Sequence, residues 1–185
     1  MSALAIRSVI INDFHRELPK HGYTVSEIHA EPTPFNHQLW YLCAKTEHGF
    51  VLTYRSIWDG DQWEQWIELP RDQAPLRSLA NNYQLPNKMN VVLEDWYTCL
   101  TTDDGALNVI DLRLGKRYGW EDEHAPFVFI YNLWHTDDHA LGWSMNKPEG
   151  RYDFGRLKTL FARITGRISE NRLQHAVSIE TEVHD

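Results

Sequence analysis

The sequence predicts an α+β fold in which one antiparallel β-sheet of about six strands is packed by an N-terminal and a C-terminal amphipathic helix. Apolar residues recur at helical spacing near both ends of the chain. Between them lie short aromatic and β-branched runs separated by hairpin-type turns. These runs follow one another directly instead of alternating with helices, which favours an antiparallel sheet over a parallel α/β arrangement.

The first element places Ile6, Ile10, Phe14 and Leu18 at steps of four, with Pro19 and Gly22 as its stop. A strand follows from Tyr23 to about Glu31, ended by Pro32 and Pro34 because proline removes a ladder donor. The runs 37–46 and 50–58 form a hairpin about Glu47-His48-Gly49, and the run 63–69, with Trp63 and Trp66, reads as another strand. A short helix is predicted near Leu76 to Asn82. Residues 86–94 fit either helix or strand. A second hairpin turns at Asp103-Asp104-Gly105, with Ile110, Leu112 and Leu114 directed to the core. Residues 126–134 alternate Phe127, Phe129, Tyr131 and Leu133 with Val128 and Ile130, the pattern of a central strand covered on both faces. The last helix carries Phe154, Leu157, Leu160, Phe161 and Ile164 and stops at Gly166. No internal repeat or composition break divides the chain, so residues 1–172 read as a single domain and 173–185 as a poorly ordered tail.

Twenty-three aromatic residues among 185 indicate a packed core. A net charge of −8 repels phosphate backbones and anionic headgroups, which argues against nucleic acid as a partner. No apolar stretch approaches the roughly 18 residues a membrane helix requires, so direct membrane insertion by this chain is not expected. Cys43 and Cys99 sit singly in apolar runs and read as buried reduced thiols of a soluble, cytoplasmic domain; they could pair only if their Cα atoms came within about 7 Å.

Two segments stand out: Pro32-Thr33-Pro34-Phe35-Asn36 leading to Trp40, and Asp111-Leu112-Arg113-Leu114-Gly115. In this order, with aromatic-rich strands between, they resemble the soluble C-terminal portion of the bacterial inner-membrane proteins described as predicted membrane-bound metal-dependent hydrolases. The resemblance covers roughly residues 5–135. It implies an accessory or ligand- or partner-binding domain whose partner is a membrane-embedded N-terminal region of the same protein. In that family the metal-binding motif has the form H-R-x-x-T-H-S and lies among the membrane spans. Here the only His-Arg pair, His15-Arg16, is followed by Glu-Leu-Pro. The resemblance therefore implies that any divalent metal belongs to the parent's membrane portion, and that this chain has no cofactor and no catalytic residues of its own. The alternatives are a free-standing small-molecule-binding module and a hydrolase with an unrecognised site.

On the residues alone, Asp111 and Arg113 share one strand face and read as a structural ion pair in preference to a ligand contact. The Pro34-Phe35-Asn36 loop reads as a rigid lead into a strand, with Phe35 and Trp40 offering an apolar wall for a ligand or partner. His135, Asp138 and His139 would share a face if their segment were helical. Without a third histidine or a cysteine they make a weak metal motif, and a solvated loop is the favoured reading. Trp58, Trp63 and Trp66 read as core or sheet-edge cover. No nucleophile elbow, P-loop or zinc-protease motif occurs.

Overall fold

A computed structural model of the chain describes residues 2–61, 63, 65–138, 140–146 and 154–166. The expected tail at 173–185 lies outside these residues. Helix α1 (Ala3–Glu17) begins where the Ser2 hydroxyl accepts the Ala5 N–H at 3.3 Å. Its buried stripe is Ile10 and Phe14, continued by Leu18. Pro19 then starts a 3₁₀ turn that ends at Gly22, whose φ of 83° a residue with a Cβ adopts only at a cost.

Strands β1 (Val25–Pro32), β2 (Leu39–Thr46), β3 (Gly49–Ser56) and β4 (Ile67–Pro70) form an antiparallel meander in sequence order. Glu47 and His48 make the β2–β3 turn, closed by the Thr46 hydroxyl, which accepts the Gly49 N–H at 3.1 Å. Every residue of β2 and β3 is buried. One face (Trp40, Leu42, Ala44, Val51) packs on α1. The other (Leu39, Tyr41, Cys43, Phe50, Leu52, Tyr54) packs elsewhere, as alternation along a strand requires.

That other face meets a second sheet. Helices α2 (Ala74–Ala80) and α3 (Gln84–Leu93) intervene, and then β5 (Tyr97–Thr101), β6 (Leu107–Lys116), β7 (Phe127–His135) and β8 (Leu141–Asn146) form another meander. The expectation of one sheet of about six strands is thus corrected to two antiparallel sheets of four. Pro70 ends β4, and the two helices carry the chain over so that β5 starts a new sheet. The result is helix, sheet, sheet, helices: a helical segment plus a four-strand meander, made twice. Trp96, Ile110, Leu112, Trp120 and Phe127 fill the space between the sheets. Leu76, Met89 and Leu93 of the helices cover Tyr97, Cys99, Val109 and Leu133 on the far face.

Other expectations shift in detail. Trp63 and Trp66 precede β4 instead of belonging to it, stacking on Phe14 at 5.6 and 6.0 Å and so covering the flank of α1. Leu114, expected to face the core, is exposed. Strand β7 lies between β6 and β8, but most of its residues are half-buried and Trp134 and His135 are exposed, so its two faces are not fully covered as the alternation suggested. Cys43 lies between the sheets and Cys99 beneath the helices. Both are free thiols, and burial pushes them up to about 12 and about 11, well away from the reactive thiolate.

The C-terminal helix comprises a 3₁₀ turn (Phe154–Arg156) and α4 (Leu157–Ile164). Leu160 and Ile164 enter the inter-sheet core, whereas Phe161, expected on the same stripe, faces solvent. A helix of about two turns presents one narrow stripe to the core, here Leu160 and Ile164. Arg163 fixes the helix to β3. Its guanidinium donates to both carboxylate oxygens of Asp59 at 2.6 and 2.9 Å and to the Tyr54 carbonyl at 3.0 Å.

Candidate functional site

The Pro32 to Asn36 segment leaves β1 and returns into β2, and Asn36 holds the loop in one shape. Its side-chain carbonyl accepts the N–H groups of Gln38 and Leu39 at 2.9 and 2.7 Å, while its amide donates to the Thr33 hydroxyl at 2.7 Å and the Pro34 carbonyl at 3.1 Å. Phe35 has a φ of 66° and is 77% exposed. Trp40 is placed differently from the sequence expectation. It is 2% exposed, packs on the α1 side of the sheet, and donates its indole N–H to the His37 carbonyl at 3.0 Å. A buried Trp40 presents no surface to a ligand, so Phe35 and Trp40 do not form one apolar wall.

Asp111 to Gly115 forms a wide bulge in β6. Asp111 stands opposite Phe129 and Lys116 opposite Phe127, so Leu112 to Gly115 face Val128 alone. Asp111 is 3% exposed and accepts from Arg113 three times, from the backbone N–H at 3.0 Å, Nε at 3.0 Å and Nη2 at 2.7 Å. Arg113 Nη1 also donates to the Val92 carbonyl at the end of α3, at 2.8 Å. The ion pair therefore holds the bulge and a helix terminus together. Replacing Asp111 with Ala leaves Arg113 without its buried partner and is expected to cost about 3 kcal/mol. Asp104→Ala at the exposed hairpin turn should cost much less, a ranking that chemical denaturation measures directly.

The bulge detaches backbone groups from the β7 ladder, and side chains of the first sheet take them up. Tyr41 Oη donates to the Leu112 carbonyl at 2.7 Å, and His29 Nε2 donates to the Arg113 carbonyl at 3.0 Å. Tyr54 Oη accepts the Lys116 N–H at 3.0 Å and donates to the Lys116 carbonyl at 3.2 Å. Burial holds both phenols above their ordinary range, so they remain protonated donors. Gly115 completes the joint. Its φ is 67°, and a Cβ there would lie 2.7 Å from the Tyr41 ring.

His29 titrates below its ordinary value because burial disfavours the imidazolium, an effect partly opposed by Glu31 at 3.6 Å. A depressed folded-state value means that the unfolded chain binds the proton more readily. Stability is then full above the unfolded value of about 6.5 and declines as pH falls through the folded value. Stability measured between about pH 7 and 5 should fall in the native protein. The decline should flatten in His29→Gln, whose amide keeps a donor for the Arg113 carbonyl.

Between the Pro32–Pro34 loop and the chain after the bulge lies a cleft of about 160 Å³. Pro32, Thr33, Pro34, Leu114, Tyr118 and Val128 form its sides, the buried rings of Tyr41, Tyr54 and Trp120 contribute to its lining, and Glu31, Lys116 and Arg117 supply its charged groups. Both segments singled out in the sequence thus border one cleft at the junction of the sheets. The cleft's aromatic residues were not legible beforehand: Tyr41 and Tyr54 lie within the runs read as strands, and no pattern in the sequence singles out Trp120.

His135 ends β7 with its ring 5.9 Å from that of Tyr83, and Asp138 sits in the following turn, where the Thr136 hydroxyl donates to its carboxylate and holds it below the usual range. A strand end and a turn do not give the shared helical face that the metal motif required, and His139 lies outside the described residues. Among the described residues no group of three or more His, Cys, Asp or Glu side chains is placed to hold a metal ion. No described helix is long and apolar enough to cross a membrane. No protein-family model, curated protein or solved structure matches the chain.

Proposed function

We propose that this chain is a non-catalytic accessory domain that binds a ligand or partner, of the kind that follows the membrane portion in the predicted membrane-bound metal-dependent hydrolases. The observation that carries this reading is the convergence of the P-T-P-F-N and D-L-R-L-G segments on one cleft. Their ionic and amide side chains are engaged in holding backbone: Asn36 shapes the loop, and Asp111 with Arg113 braces the bulge. A catalytic carboxylate needs access to substrate, whereas Asp111 is buried and engaged by Arg113. On this reading the divalent metal and the chemistry belong to a membrane-embedded region of the parent protein, which is also the natural partner. The cleft equally suits a free-standing small-molecule-binding module, which differs in lacking that membrane partner.

The test is to assay purified protein against generic phosphoester, ester and peptide substrates with zinc, manganese or magnesium. No turnover is expected. Metal-dependent turnover that follows the protein through purification, and is lost on replacing one of its own His or Asp residues, contradicts the proposal.

A further inference from the structure

Strands β1, β4, β5 and β8 border the two sheets, and the first three are closed to further pairing. β1 carries Glu27 and Glu31, shifts register between Val25 and Glu27 and ends in Pro32, and Arg7 of α1 donates to its Ala30 carbonyl at 3.4 Å. β4 is four residues long, contains Glu68 and ends in Pro70. Along β5 the chain before α2 takes up outer backbone groups: the Cys99 N–H donates to the Asp72 carbonyl at 2.7 Å, and the Gln73 amide donates to the Tyr97 carbonyl at 3.1 Å. Charge, proline, bulges, short length and covering segments are the usual protections of a sheet edge. Among the described residues β8 has none of them. Leu141 to Asn146 include no charged side chain and no proline, the register against β7 runs without a shift, and no described strand lies on the outer side.

The open strand presents its backbone and its side chains in step. The Thr136 N–H donates to the Ala140 carbonyl at 2.9 Å, which sets the alternation of the pairs that follow. Gly142, Ser144 and Asn146 turn their N–H and C=O groups to β7, and Leu141, Trp143 and Met145 turn theirs outward. The side chains of these last three share the face of Leu133, on the helix side of the sheet, where Trp143 is 52% and Met145 37% exposed. On the opposite face the Trp134 indole lies over Gly142, so close that a Cβ there would come within 2.5 Å of it. An indole thus flanks the open edge on each face. We propose that β8 pairs with β8 of a second copy of this chain, antiparallel about a two-fold axis through Trp143, so that two four-stranded sheets become one continuous sheet. In that register the strand is its own complement. Leu141 meets Met145 of the second copy, Trp143 meets its counterpart and Gly142 meets Ser144, so the outward backbone groups are bonded and apolar side chains fall on apolar ones. An axis through Gly142 or Ser144 would leave Met145 or Leu141 without a counterpart in the strand. Charge favours the same place: two copies of a chain with net charge −8 repel each other, and this uncharged strand lets them meet without setting carboxylates opposite one another.

One strand pair buries less than the roughly 1,200 Å² of a standard interface, so the dimer is expected to be weak, with a dissociation constant of about 10–100 µM. Sedimentation equilibrium of the full chain from about 5 to about 500 µM should show a reversible monomer–dimer equilibrium. Trp143→Lys sets two ammonium groups against each other at the axis, and Met145→Pro removes an outward N–H that the β7 ladder does not use. Each should weaken dimerisation at least about ten-fold. Hydrogen exchange on the unaltered chain locates the contact without any substitution. The amides of Leu141, Trp143 and Met145 should become protected as concentration rises, whereas those of Gly142, Ser144 and Asn146 should be protected at every concentration. A monomer throughout the range, a dimer that neither substitution weakens, or protection that does not alternate along β8 would each overturn the proposal. So would outward amides already protected in the dilute monomer, because another segment of the same chain would then occupy the edge.

Discussion

Gly115→Ala is expected to lower the unfolding free energy by about 3 kcal/mol, which lowers the melting temperature of a chain of this size by about 9 °C. Two effects add. An L-residue at a φ of 67° costs about 1–2 kcal/mol. Crowding against a side chain that cannot yield costs about 1–3 kcal/mol more. The obstacle is the Tyr41 ring at 2.7 Å, and that ring is fixed by burial and by its bond to the Leu112 carbonyl. Gly105 has a comparable φ of 83° with open space around it, so Gly105→Ala isolates the conformational part at about 1 kcal/mol. At Gly119 the obstacle is present without the left-handed φ: a Cβ would lie 2.3 Å from the Tyr54 hydroxyl. Equal losses at Gly115 and Gly105 would mean that the bulge does not press on the first sheet.

Arg163→Ala is expected to cost about 3–5 kcal/mol, because it strands the Asp59 carboxylate that it now neutralises. Both side chains are almost fully buried, at 8% and 7% exposure, and the carboxylate also accepts the Ser56 N–H at 2.7 Å. Losing the guanidinium also removes the bond to the Tyr54 carbonyl that ties α4 to β3. The effect should be local before it is global, with amide exchange rising first across Leu157–Ile164. The comparison is Arg77→Ala, whose pair with Asp95 is about half exposed on both sides and should contribute under about 1 kcal/mol. Similar costs for the two arginines would contradict the docking of α4 through a buried ion pair.

Periodicity made much of this fold legible. The four-residue steps from Ile6 to Leu18 locate α1, and the Glu47 to Gly49 and Asp103 to Gly105 turns locate two hairpins, although Gly49 itself is the first residue of β3. What stayed hidden depends on contacts between distant parts of the chain. Hairpin order establishes which strands are neighbours, but not where a meander stops and folds over its predecessor. The ambiguity at residues 86–94 has a local cause. Helix α3 ends at Glu94 and Asp95, both left-handed at φ 49° and 63°, so no glycine marks its end.

At the candidate site, the charges of Asp111 and Arg113 and the stiffness of Pro32 to Asn36 were visible as local patterns. Their meeting was not, because the bonds that create it span 71 residues from Tyr41 to Leu112 and 84 from His29 to Arg113. Trp40 shows the reverse difficulty. Its place beside the rigid loop suggested one wall with Phe35, yet strand alternation turns its ring to the α1 side, opposite Tyr41.

The D-L-R-L-G bulge is the joint between the two sheets, with Gly115 seated on the Tyr41 ring. A double-mutant cycle of Gly115→Ala with Tyr41→Leu, read by denaturant unfolding, measures that contact directly. Once the ring is gone, the alanine methyl has room, so the double variant should be more stable than the sum of the single losses predicts. The expected coupling is about 1–2 kcal/mol. Losses that add within about 0.5 kcal/mol would show that the two residues do not touch, and would contradict the joint.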